Sequence, residues 1–146
     1  MSDRLKPEPR SAYQYFVVIP TRWMDNDVYG HVNNVQYYSF FDTVVNGYLI
    51  ERGVLQPQRS DVIGLVVETR CNYFESLSFP DRVEAGLRVA RIGTSSVRYE
   101  IGLFRENALR AAAQGHFIHV YVNRETRRPV PLPAALKRAL APLVVG

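Results

Sequence analysis

The sequence predicts an α+β domain, with one long helix followed by a set of antiparallel strands. Three observations carry this. From Asn34 to Arg52 apolar residues recur at spacings of three and four: Val35, Tyr38, Phe41, Val45, Tyr48 and Leu49. After Asp61 the chain switches to segments of period two, with Val83, Ala85, Leu87 and Val89 alternating with Arg82, Glu84, Gly86 and Arg88. One aromatic and β-branched run, Tyr15 to Ile19, precedes the helix. Strands grouped after a helix, instead of alternating with helices, indicate α+β and not a parallel βαβ sheet.

Residues 1–11 are polar, hold two prolines and read as a mobile lead-in. Residues 12–23 form the first strand. Pro20 removes one ladder hydrogen bond, so this strand belongs at a sheet edge or carries a bulge near it. Met24 to Asn33 fits no period and reads as a loop punctuated by Asp, Asn and Gly. Asn33 or Asn34 is the N-cap of the helix, and Gly53 stops it just past its end. Tyr37, Phe40 and Phe41 widen the apolar stripe, so the helix is expected to be buried on several sides. Gln56 to Asp61 is a polar connection.

The next strand places Ile63, Leu65, Val67, Thr69, Cys71 and Tyr73 on one face. Pro80-Asp81 turns the chain into the strand over 82–89. Its hairpin partner carries Val97, Tyr99, Ile101 and Leu103. A three-residue connection, Gly93-Thr94-Ser95, sets Val89 opposite Tyr99, Leu87 opposite Ile101 and Arg88 opposite Glu100. A two-residue loop would mix the faces. After a turn at Glu106-Asn107, residues 109–123 form the last strand. Ile118, Val120 and Val122 lie on one face, with Phe117, His119 and Tyr121 on the other. Residues 134–141 read as a short terminal helix.

The 146 residues fit one domain, 1–146, and 47 % hydrophobic content excludes a disordered chain. No apolar run nears the ~20 residues of a membrane span, and the N-terminus lacks a secretory apolar stretch. The one cysteine, Cys71, cannot close an internal disulfide. Together these predict a cytoplasmic protein. The net charge of +4 favours anionic partners such as a phosphorylated small molecule. No nucleic-acid-binding signature is present. His116 and His119, three apart in a strand, point to opposite faces and do not form a metal site.

The chemistry concentrates between Arg22 and Asp42. Asp27 lies a few residues before a helix start, whose unused N–H groups carry partial positive charge. Such an end holds a developing oxyanion while a carboxylate acts as nucleophile or general base. Thioesters suit so simple a site, because a thiol with a pKa near ~8.5 departs without strong acid assistance. His31 either protonates a leaving group or bonds backbone at the helix entry. Asp25 reads as a loop-bonding structural residue. Asp42, two turns into the helix, either reaches a site on a neighbouring subunit or ties the helix to the sheet. The second of these is favoured.

The run Asp25-Asn26-Asp27-Val28-Tyr29-Gly30-His31-Val32-Asn33-Asn34, with Tyr37 and Asp42 after it, resembles the hotdog-fold acyl-CoA thioesterases of the 4-hydroxybenzoyl-CoA thioesterase type. The likeness runs from Tyr13 to about Pro133. It implies a hotdog fold, an antiparallel five-stranded curved sheet wrapped around one long central helix. It also implies a homodimer or a dimer of dimers with sites at the subunit interface, and no cofactor. By position it gives Asp27 as the catalytic carboxylate, the backbone N–H of Asn34 as oxyanion donor and His31 as a site histidine. Substrate binding falls to Tyr29, Gly30 and Tyr37. The nucleotide phosphates of coenzyme A fall to Arg91 or Arg98, and Asp42 is an accessory acid. Tyr38, Phe40 and Phe41 join Tyr37 as candidate acyl-pocket residues. The implied activity is hydrolysis of an acyl-CoA, or of an acyl group on acyl carrier protein. The rival class is a hotdog module that binds or senses acyl-CoA without turnover.

Overall fold

The computed structural model describes residues 5–145. The chain runs β1 (Tyr15–Pro20), α1 (Asn34–Glu51), β2 (Val62–Tyr73), β3 (Arg82–Ile92), β4 (Ser96–Arg105), β5 (Ala113–Asn123) and α2 (Ala134–Leu140). The strands form one antiparallel sheet in the order β1-β3-β4-β5-β2. β1 is an edge strand, the first of the two placements that Pro20 allows.

Alternation builds the core. Val83, Ala85, Leu87 and Val89 of β3 and Val97, Tyr99, Ile101 and Leu103 of β4 are fully buried on the inner face. From α1, Phe41, Val44, Val45 and Tyr48 join the same cluster, with Phe117 and Tyr121 of β5. Of the two expected caps it is Asn33 that starts the helix, its Oδ1 accepting the Val35 N–H at 3.0 Å. Gly53 ends it at φ +73°, in the left-handed region. Asn33→Ala is expected to cost about 1 kcal/mol of unfolding free energy in urea titrations, with the urea slope unchanged.

The helix is less enclosed than its sequence suggests. It is 18 residues long, and its second side, with Val35, Ser39, Asp42, Thr43 and Ile50, is exposed. Asp42 does not tie it to the sheet. No group among the described residues bonds its carboxylate, and partial desolvation alone pushes its pKa upward.

β2 also departs from expectation. A bulge at Val67 lies between the pairs Val66↔His119 and Glu68↔Ile118. One extra residue reverses the parity, so the predicted face splits. Gly64, Val66, Thr69, Cys71 and Tyr73 share the inner side with His119 and Phe117, while Ile63, Leu65, Glu68 and Arg70 look outward. As the second edge, β2 exposes Leu65, Val66 and Val67.

The β3–β4 register is the predicted one, with Val89↔Tyr99, Leu87↔Ile101 and Arg88↔Glu100. The means differ. Gly93 N–H donates to Ser96 C=O at 2.7 Å across Thr94-Ser95, and a bulge at Ala90 makes up the missing residue. The last strand starts at Ala113, not 109. Arg110 bridges Pro9, and Ala111 N–H donates to Glu8 C=O. The expected lead-in is thus held from Glu8 onward, with Glu8 also paired to Arg88 at 3.0 Å. Residues 1–4 of that lead-in lie outside the described residues. Tyr13 lies across the outer face, within 2.6 Å of where a Cβ on Gly102 would stand, so a side chain there would have to displace the Tyr13 ring.

His116 and His119 diverge as expected. On the outer side, His116 meets Arg98 at 3.2 Å and Glu68 at 2.7 Å. His119 is buried inside, 5.0 Å from the Tyr99 ring. Burial pushes the His119 pKa down to about 4. Tyr99, Tyr121 and Arg124 are the titratable groups around it, and none is a carboxylate. In the unfolded chain its pKa is ~6.5. The unfolded state therefore takes the proton first as pH falls. Stability is full above ~6.5 and declines toward 4, by up to about 3 kcal/mol. The difference in urea midpoint between wild type and His119→Phe is expected to stay constant above ~7 and to grow in the variant's favour below ~6, with the variant showing the flatter profile.

Candidate active site

The loop between β1 and α1 is fixed by its own polar groups. Asp25 is 1 % exposed. Its Oδ2 accepts the Arg22 N–H at 2.7 Å, and its Oδ1 accepts Nε and Nη2 of the same arginine at 3.0 and 2.7 Å. Its C=O accepts the Asn33 N–H at 2.8 Å. Asp25 is thus a structural brace, as its position suggested. Asn26 Oδ1 accepts the Phe79 N–H, and Val32 N–H donates to Leu77 C=O at 2.7 Å. These bonds join the loop to the segment after β2.

Within this frame Asp27 to Gly30 form a tight turn. Gly30 N–H donates to Asp27 C=O at 3.1 Å, and Asp27 N–H donates to His31 C=O at 2.8 Å. Gly30 sits at φ +83°, where a side chain would be strained. Asp27 Oδ1 accepts the Tyr29 N–H at 2.8 Å, which fixes the carboxylate's direction. Asp27, His31 and Asn34 then line one pocket of about 360 Å³ with Val32 and Tyr37.

The helix end in this pocket is electrostatically distinctive. Asn33 N–H goes to Asp25 C=O, Val35 N–H to Asn33 Oδ1, and Gln36 N–H to Asn33 C=O. No acceptor among the described residues takes the Asn34 N–H. One unused donor, at the positive end of α1, therefore shares a pocket with one carboxylate. That pairing can polarise a carbonyl oxygen while the carboxylate addresses the carbon.

The opposite wall comes from the end of β2 and beyond: Tyr73, Phe74, Glu75 and Ser76. The Tyr37 and Tyr73 rings meet edge to face at 4.9 Å, and burial raises both phenol pKa values. Glu75 is a second carboxylate that sequence reasoning missed. Cross-loop bonds, Val32 to Leu77, Phe79 to Asn26 and Ser78 to Gly30, bring it here, and no local period signals them. Cys71, behind Tyr73, is pushed up to about 11 by burial, which keeps it a thiol and removes it as a nucleophile.

The other predicted residues lie elsewhere. Tyr29 is 81 % exposed, and neither it nor Gly30 lines the pocket; both act through the turn that aims Asp27. Asp42 stands on the exposed side of α1. Arg91 and Arg98 pair on the β3–β4 hairpin, and Arg98 is held by Glu100 at 2.9 Å on the outer face. Neither arginine lines the Asp27 pocket. Among the described residues no helix is long and apolar enough to cross a membrane.

Comparison with known proteins bears on this arrangement. The family model of the thioesterase-like superfamily matches residues 21–140. The crystal structure of the PA5185 protein of Pseudomonas aeruginosa is 55 % identical, covering 97 % of this chain and 99 % of that one at a TM-score of 0.94. The PA2801 protein of the same organism, a candidate thioesterase, is 26 % identical over 88 % of this chain and 99 % of its own, with a TM-score of 0.80. Slr0204, a 1,4-dihydroxy-2-naphthoyl-CoA thioesterase from Synechocystis, is 17 % identical over 86 % of this chain and 94 % of its own. Its TM-score of 0.79 speaks to the fold alone. YsmA of Bacillus subtilis, an uncharacterised protein, is 20 % identical over 90 residues, which span 62 % of this chain and 60 % of that relative.

Proposed function

The chain belongs to the thioesterase-like superfamily, and from that premise we propose that it hydrolyses an acyl-CoA thioester to the free acid and coenzyme A. The observation that carries this reading is the unused Asn34 N–H in the same pocket as the Asp27 carboxylate. The thioester carbonyl oxygen accepts the Asn34 N–H. Asp27 attacks the carbonyl carbon, or removes a proton from the water that does. The tetrahedral intermediate collapses and expels the thiolate, which leaves readily because a thiol is a far stronger acid than an alcohol; where Asp27 is the nucleophile, water then hydrolyses the acyl–Asp27 anhydride to the free acid and restores the carboxylate. His31, at the pocket wall, orients the substrate. Tyr37 and Tyr73 flank the acyl group.

The catalytic unit is a homodimer of this single domain. An edge strand with exposed Leu65, Val66 and Val67 invites pairing with its counterpart in a second copy. The same contact covers the open side of α1 and makes that helix central to the assembled hotdog. Sedimentation is expected to give a dimer for wild type and a monomer for Val67→Asp; a monomeric wild type contradicts the assembly.

The function is tested by thiol release from a panel of aromatic and aliphatic acyl-CoAs. Release from at least one, with turnover, is expected. Tight binding of acyl-CoA without release from any of them points instead to the non-catalytic binding module.

A further inference from the structure

A cavity of about 450 Å³ lies between the C-terminal half of α1 and the start of β2, and it shares no residue with the Asp27 pocket. Leu49, Leu55, Pro57 and the Tyr121 ring give it apolar walls. Gly64 adds no side chain, and a Cβ there would stand 2.9 Å from the His119 and Tyr121 rings. The volume is that of a small-molecule site.

Most polar groups of the lining are already committed. The Tyr121 hydroxyl is bonded to that of Tyr99 at 2.6 Å. Asn46 donates its amide N–H to Asp42 C=O at 3.0 Å. The His119 imidazole is uncharged near neutral pH, and its Nε2 is too deeply buried to meet a ligand. Arg124 is the exception. Its Nε donates to Ser60 C=O and its Nη2 to Pro57 C=O, each at 2.6 Å. These bonds spend one edge of the guanidinium and fix its place. The far end, with the Nη1 hydrogens and the second Nη2 hydrogen, has no acceptor among the described residues. Both partners are backbone carbonyls, which carry no net charge, so the positive charge stays uncompensated.

The surroundings carry the same sign. Arg52, Arg59, Arg127 and Arg128 join Arg124 on the segments that meet here, and together they outnumber Glu51, Asp61 and Glu125. The Arg124 N–H, donating to Asp61 C=O at 2.7 Å, ties the connection before β2 to the turn after β5. On the outer face of the sheet, by contrast, Arg10, Arg88 and Arg98 each sit against a glutamate. A fixed cation beside an apolar cavity matches one negative charge on an apolar body. The free end of a guanidinium presents two parallel N–H groups, which fit the two oxygens of a carboxylate. A neutral head group forgoes the charge, and an ammonium is repelled.

We propose that this cavity binds a medium-chain monocarboxylate, its head group on the free end of Arg124 and its chain between Leu49 and Leu55. The site is separate from the Asp27 pocket and does not rest on the thioesterase reading. It lies beside the flank where a second copy would pair, but every wall named belongs to one chain.

Three probes of one length test it on the full chain at neutral pH: octanoate, octanamide and octylammonium. Affinity is read by titration calorimetry, and the Arg124 side chain is followed by nitrogen-15 NMR. Octanoate is expected to bind about tenfold more tightly than octanamide, the worth of a charge-assisted hydrogen bond. It should move the Arg124 Nε resonance and give nuclear Overhauser contacts to Leu49 and Leu55. In Arg124→Gln the two probes are expected to bind within about twofold of each other. Arg124 also fastens the connection before β2, so a second variant leaves it in place. Leu55→Trp fills the cavity and is expected to weaken octanoate by at least ~tenfold. Asp27→Asn and Val67→Asp are expected to bind octanoate as wild type does, which separates the site from catalysis and from the dimer. The proposal is overturned if octanoate does not bind, if octanamide or octylammonium binds as tightly, if Arg124→Gln keeps the preference, if Leu55→Trp binds undiminished, or if the contacts map to Val32 and Tyr37.

Discussion

Asp27→Asn is expected to lower kcat for thiol release by ~10²–10⁴-fold, the range for loss of a positioned base or nucleophile. The substitution keeps the shape of the side chain. The amide oxygen it introduces can still accept the Tyr29 N–H that now holds the carboxylate at 2.8 Å. The turn closed by Gly30 and Asp27 is made of backbone and stays intact. Stability should therefore move by less than about 1 kcal/mol, the worth of one ordinary hydrogen bond, and KM should change little. A loss confined to kcat identifies a group that acts in the transition state, whereas a rise in KM alone would mark simple binding. The measurement is steady-state thiol release beside a urea titration of both chains.

Asn34→Pro is expected to lower kcat by ~10²–10³-fold, the usual effect of removing one oxyanion donor. It is the rare backbone donor that one substitution can delete. Position 34 is the first residue of α1, where proline is well tolerated because that N–H has no helical partner. Asn33 sits at φ −61°, ψ 141°, the extended conformation that a residue before proline prefers. Its cap to Val35 N–H does not involve the deleted donor. Folding should survive while catalysis falls. Asn34→Ala removes only the side chain and retains the N–H, so it should stay within a few-fold of wild type. If Asn34→Ala is as damaged as Asn34→Pro, the side chain and not the amide is the active group.

Features set by local physics were legible in the sequence. The three-four spacing of Val35, Tyr38 and Phe41 gave α1, and the pair Asn33-Asn34 and Gly53 gave its two ends. Pro20 limited β1 to an edge or a nearby bulge. Matching Val89 with Tyr99 gave the β3–β4 register, because a slip would turn every apolar side chain to the wrong face. Within that hairpin the two-residue tip and the Ala90 bulge cancel, so the faces alone could not distinguish them from a three-residue loop. The β2 bulge was hidden for a similar reason. Val66 and Val67 are both apolar and β-branched, and nothing local tells which one leaves the ladder.

The candidate site was legible to the extent that it is sequential. Asp27, His31 and Asn34 fall within one loop-to-helix junction and meet in one pocket. Glu75 was not legible, since bonds between two loops bring it in. Arg91 and Arg98 were assigned to the phosphates from the resemblance; they stand on the β3–β4 hairpin outside the Asp27 pocket, with Glu100 holding Arg98 on the outer face. Asp42 was left between a site on a neighbouring subunit and a favoured tie to the sheet, and helix phase turns it to the open side of α1, away from the sheet.

The most direct test of the account is a crystal structure of the Asp27→Asn chain with an acyl-CoA analogue whose thioester sulfur is replaced by methylene. The account predicts the ketone oxygen ~2.7–3.1 Å from the Asn34 backbone nitrogen, with its carbon facing the side chain at position 27. A ketone bound away from that nitrogen, with the substituted side chain turned out of the pocket, would contradict it.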